Sequence, residues 1–176
     1  MPRPLEIKIF RNRRGSEVPS PRLGDFPVFD GQPLAFRVPM LAATKNATPT
    51  LMVVDPKVDL PSALISPAYL PIASNIMRSL HCVVVATQTG GSAGTVGDSL
   101  ALSFEMAVKR RVAAGTTVLV GVPVATTDLR DAGAAAWAVT PAVDAVNGGL
   151  KITVTGAVNK NISWIARIQV IDVPIA

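Results

Sequence analysis

Few side chains in this sequence are suited to chemistry, and two of them stand side by side. His81 and Cys82 lie inside the apolar run Leu80–Thr87. An imidazole can activate a thiol as a nucleophile only if the two groups face each other. Neighbouring residues on a strand point to opposite faces, so this pair does not cooperate. As metal ligands they would need further partners, and the chain holds one Cys and one His. The pair reads as a satisfied core histidine beside a buried thiol.

The aspartates come next. Asp55, Asp59, Asp98, Asp128, Asp131 and Asp144 fall in predicted turns or at strand ends, where a short carboxylate shapes the backbone. Asp55 and Asp59 share a loop but lack the ligand spacing of an EF-hand. The segment from Gly90 to Gly97 has the glycines of a phosphate-binding loop without the Lys-Ser/Thr or the helix that must follow. It reads as a mobile hairpin loop. Trp137 and Trp164 could stack on a sugar, yet both occupy alternating strand positions and read as core. The residues predict no enzyme, no cofactor and no metal.

The elements that must position these groups are strands. From Leu100, apolar side chains fall on every second residue through Leu102, Phe104, Met106 and Val108. Period two outweighs the helix propensity of the same residues and predicts a strand. After Ala113-Ala114-Gly115, Val118, Val120, Val122 and Val124 alternate again, which predicts a long central hairpin. Leu80–Thr87 reads as a strand buried on both faces. Thr126 to Gly133 reads as a polar turn, and Ile72 to Arg78 as holding a helical turn. Asn147-Gly148-Gly149 marks a tight turn before the alternating runs from Leu150 and from Trp164. The last strand is apolar on both faces at its ends, which predicts a central strand or a contact.

Composition sets the class. Apolar residues make up 49% and charged residues 16% of the 176, against roughly 25% charged in ordinary soluble domains. Such a chain hides part of its surface in an assembly. One cysteine allows no internal disulfide, and neither a secretory signal nor a membrane span is apparent. The expectation is synthesis in the cytoplasm without membrane contact. Residues 1–24 hold six basic side chains against Glu6 and Glu17, a balance of +4 out of +5 for the chain. Without aromatic interleaving or a reading motif, nucleic acid is an unlikely partner.

The predicted fold is therefore all-β, an antiparallel β-sandwich of immunoglobulin-like or jelly-roll-like type, over residues 45–176. Residues 1–44 read as an extended, basic, Pro-containing arm, with strands near Leu5–Ile9 and Leu34–Val38 and an apolar clip at Asp25–Gly31. Pro39 limits the second of these strands to an edge or an end. Four prolines make Asp55–Pro71 a long ordered loop.

Four stretches in order, Val83–Ser99, Ala114–Gly121, Asp131–Val139 and Leu150–Ile168, resemble a β-domain of tailed-bacteriophage virion structural proteins. That domain occurs in head- and tail-attached fibres and capsid decoration proteins, and the resemblance covers about residues 45–173. It implies a non-enzymatic virion component, foremost a decoration protein on the head, assembled in the host cytoplasm. A tail, neck or baseplate protein is the alternative, and a carbohydrate-binding module using Trp or Tyr69 an alternative of another class. The partners implied are the major capsid protein or other virion proteins, and further copies of the chain, a trimer among them. The arm would supply the contacts: Arg11, Arg13, Arg14 and Arg22 for acidic surfaces, and Phe26, Phe29 and Phe36 as apolar anchors.

Overall fold

The computed structural model describes residues 28–29, 32–33, 35–55 and 69–175. All strands pair antiparallel. In chain order they are β1 (Val28–Phe29), β2 (Gln32–Pro33), β3 (Ala35–Thr44), β4 (Thr50–Leu51), β5 (Val53–Val54), β6 (Leu70–Pro71) and β7 (Ile76–Gly91). There follow β8 (Ser99–Arg110), β9 (Val118–Leu119), β10 (Val124–Arg130), β11 (Ala138–Asp144), β12 (Gly149–Thr155) and β13 (Lys160–Pro174). A large sheet runs β10-β8-β7-β13-β3-β5, with β9 beside one end of β8. A smaller sheet places β11 on one side of β12 and both β4 and β6 on the other. β1 and β2 form a separate two-stranded ribbon.

The two sheets bury one common core, as an antiparallel sandwich requires. Leu80, Cys82, Val84 and Ala86 of β7 and Trp164, Ala166, Ile168 and Val170 of β13 face Leu150, Ile152 and Val154 of β12. Strict alternation along β7 and β13 makes each strand buried on one side and open on the other. The chain changes sheets at Met52, between β4 and β5. This residue is fully buried, and its N–H donates to the Ile152 carbonyl at 2.9 Å, so the crossing leaves no orphan donor.

Several expectations are corrected. Leu80–Thr87 is apolar enough for burial on both faces, yet Val83 and Val85 are exposed because no layer covers that side among the described residues. The long partner of β8 is β7, paired from Ile76↔Arg110 to Thr87↔Ser99. The second valine run is broken by Gly121, at φ +83°, and by Pro123. Val118, Val120, Val122 and Val124 are all exposed, since β9 touches only the end of β8 and β10 is an edge strand. The predicted polar turn after Val124 is β10 itself, bulged between Ala125 and Thr127. Ile72–Arg78 holds no helix: a turn with Asn75 at φ 56° leads straight into β7.

β3 lies within the large sheet, paired with β13 over ten registered positions from Ile162↔Thr44 to Ile171↔Ala35. It runs through Pro39 because β5 covers only Met40 and Leu41 on its other side, so β3 is close to an edge where proline is tolerated. The expected strand at Leu5–Ile9 lies outside the described residues, as do 56–68 of the Asp55–Pro71 loop.

Cys82 is buried in this core as a free thiol, and burial pushes its pKa up to about 12 from an ordinary 9.0. The folded state therefore stays protonated while the unfolded chain ionises above pH 9. By linkage, this group takes stability away as pH rises from about 9 toward 12, at up to about 1.4 kcal/mol per unit. We expect native Cys82 to resist a disulfide reagent at pH 8 until denaturant is added. We expect Cys82→Ala to flatten the alkaline loss of stability relative to wild type in urea titrations. A thiol that reacts at once in the folded chain would contradict this.

Candidate interaction face

Three polar clusters fix the ends of the sandwich, and each spends its charged groups on structure. Arg78 donates from Nε and Nη2 to the two carboxylate oxygens of Asp172, both at 2.7 Å, and from Nη1 to the Pro71 carbonyl at 2.7 Å. This ties β6 to the core between two directly registered residues of β7 and β13. At the other end Lys160 Nζ donates to the Gly133 carbonyl at 2.7 Å and to Asp98 Oδ2 at 3.2 Å, 5.8 Å from the centre of the Trp137 ring. Gln88 Nε2 donates to the carbonyls of Gly90 and Ala93. The glycine-rich segment is thus a pinned turn rather than the mobile loop its composition suggested.

The third cluster lies on the edge strand β10. Arg130 forks onto Asp128, with contacts of 2.7 and 2.5 Å, and reaches the Trp137 carbonyl at 3.0 Å. The Arg130 hydrogen bond holds the Asp128 carboxyl below its usual range. Asp131 accepts from the Ser99 N–H at 2.8 Å. Asp144 is likewise lowered by hydrogen bonds from Asn147, which close the turn before β12. Charged groups on β10 also discourage stray pairing at this sheet edge.

Both tryptophans are core residues, at 2% and 1% exposure, with ring centres 5.8 Å apart and tilted by 57°. Trp164 Nε1 donates to Thr44 Oγ1 at 3.0 Å. A sugar on the surface would not meet either ring. His81 is exposed, which corrects its reading as a core histidine: it stands across from Glu105 of β8 and Gln169 of β13. Asp59 lies outside the described residues, and among those described no group of His, Cys, Asp and Glu is placed to hold a metal.

Among the described residues, what remains open is the outer face of the large sheet. Residues in direct antiparallel register share a face. Following the registers across the sheet, Val53, Leu41, Ile165, Val85, Ala101 and Leu129 form one apolar row over six strands. Ile165 is 58%, Val85 52%, Leu129 66% and Val53 40% exposed. Further along β13, beyond Arg167 and Gln169 on the same face, Ile171 and Val173 are also exposed. The next row on this face is Pro39–Arg167–Val83–Ser103, and beyond it lies a polar one, Arg37–Gln169–His81–Glu105. At the β10 end, Val85, Ala101, Leu129, Ser99 and Asp128 line a shallow open cleft of about 560 Å³. An exposed apolar row of this kind makes the face a candidate contact surface.

The arm residues fall elsewhere. Arg11, Arg13, Arg14, Arg22 and Phe26 lie outside the described residues. Phe29 belongs to β1, and Phe36 to β3 in register with Val170. Sequence reasoning missed Val83, Val85 and Leu129 as surface residues. The signal was Ile165 and Ile171, apolar at positions where the strand's other face should be polar.

No protein-family model matches the sequence, and no curated protein matches it. Among solved structures, the chain is similar to the tailspike protein of Acinetobacter baumannii phage AM24, with 7% identity and a TM-score of 0.42. The match covers 80% of this chain and 27% of the tailspike chain. A likeness at that score assigns neither a function nor a place on a particle.

Proposed function

We propose that this chain is a non-enzymatic structural component of a tailed-phage particle, and that it works by burying the outer face of its large sheet against neighbouring protein. The observation that carries this reading is the exposed apolar row from Val53 to Leu129. The sequence resemblance over about residues 45–173 supplies the phage context. The carboxylates support an inert role: Asp98, Asp128, Asp131, Asp144 and Asp172 already hold structural partners. The burial of both tryptophans speaks against the carbohydrate-binding alternative.

Two placements fit this chemistry, a head decoration protein attached through the basic segment 1–44, and a tail, neck or baseplate protein. Counting copies in purified particles by quantitative mass spectrometry separates them, since a shell carries hundreds and a tail assembly far fewer. Attachment through the basic segment makes its own prediction. Removing residues 1–24 is expected to leave the domain folded and to abolish particle binding. Full occupancy by the truncated chain would reject that attachment, and absence of the chain from particles would reject the whole reading.

A further inference from the structure

We infer that the partner on the outer face is a second copy of this chain, docked sheet to sheet about a two-fold axis along the strands, between β7 and β13. The inference rests on the contact-face reading above and names its occupant. Three strands lie on each side of that axis, β10-β8-β7 and β13-β3-β5. The two-fold places β7 over the partner's β13, β8 over its β3, and β10 over its β5.

Each row then meets itself reversed, and the residues match in three of the four rows from Ser163 to Gln169. In the apolar row, Val85 lies over Ile165 of the second copy, Ala101 over Leu41 and Leu129 over Val53. In the next row Val83 lies over Arg167, and in the polar row beyond it Glu105 lies over Arg37 and His81 over Gln169, each match occurring twice by symmetry. On the other side Thr87 meets Ser163. An isologous contact needs this kind of self-complementarity, apolar on apolar and acid on base. The area suffices as well. Six strands about 4.8 Å apart, from 2 residues in β5 to 16 in β7, present roughly 1,000 Å², against about 800 Å² per partner in a standard interface. Two aligned sheets packed about 10 Å apart cross at about 30°, so the matching holds best near the axis.

Sedimentation of the full chain tests this directly. Wild type is expected to run as a dimer, and Ile165→Asp as a monomer that keeps a cooperative melting transition, at a temperature that no longer depends on protein concentration. Arg37→Glu and Glu105→Arg are each expected to weaken association roughly tenfold, and the double swap to restore it. Wild-type monomer at the highest soluble concentration, or a dimer indifferent to both Ile165→Asp and the charge swaps, would overturn the inference. Incorporation of Ile165→Asp into particles keeps the two claims apart. A monomeric wild type whose Ile165→Asp variant fails to incorporate rejects the second copy and retains the contact face. Normal incorporation of that variant rejects the face itself.

Discussion

Replacing Asp172 with alanine is expected to cost about 3–5 kcal/mol of folding stability, because it strands a buried guanidinium. Arg78 is fully buried and Asp172 nearly so. Their bidentate contact compensates for much of the desolvation of both charges. Without the carboxylate, the buried guanidinium loses its bidentate anionic partner, and a neutral carbonyl such as that of Pro71 does not balance its charge. For a domain whose total stability is about 5–15 kcal/mol, that loss is a large share. The double variant Arg78→Met/Asp172→Leu removes both charges at similar volume and is expected to recover most of the loss. Urea denaturation of the three chains measures this. A single-variant loss below about 1 kcal/mol would show that water reaches the site and that the pair does not hold β6 in place.

Trp164→Ala is the second large effect, at about 3–5 kcal/mol from lost burial and an unfilled cavity. The indole packs against Trp137 and donates to Thr44, so truncation also leaves a buried hydroxyl without that donor. Trp164→Phe fills most of the space and is expected to cost less. The same geometry predicts blue-shifted native emission that iodide quenches poorly. Strong quenching in the folded chain would place a tryptophan at the surface and reopen the sugar-binding alternative.

How much of this was legible in the sequence depends on what each strand faces. Period two in Leu100–Val108, Leu150–Val154 and Trp164–Val170 reports a buried face whatever lies opposite, and those strands formed with their apolar sides inward. The Asn147-Gly148-Gly149 turn also formed, with Gly148 at φ +68°. Val118–Val124 has the same alternation and failed, because periodicity does not say whether a second sheet covers a face. The valines of Leu80–Thr87 failed for the related reason that an apolar outward face has the same composition as core. Register was invisible as well, and register assembles the row from Val53 to Leu129 out of six separate strands.

The central claim is that the outer face of the large sheet is a covered surface in the working assembly. Imaging purified particles at side-chain resolution tests it most directly. The account predicts protein density packed on Ile165, Val85 and Leu129 in every copy. A particle in which those three side chains face solvent would contradict it.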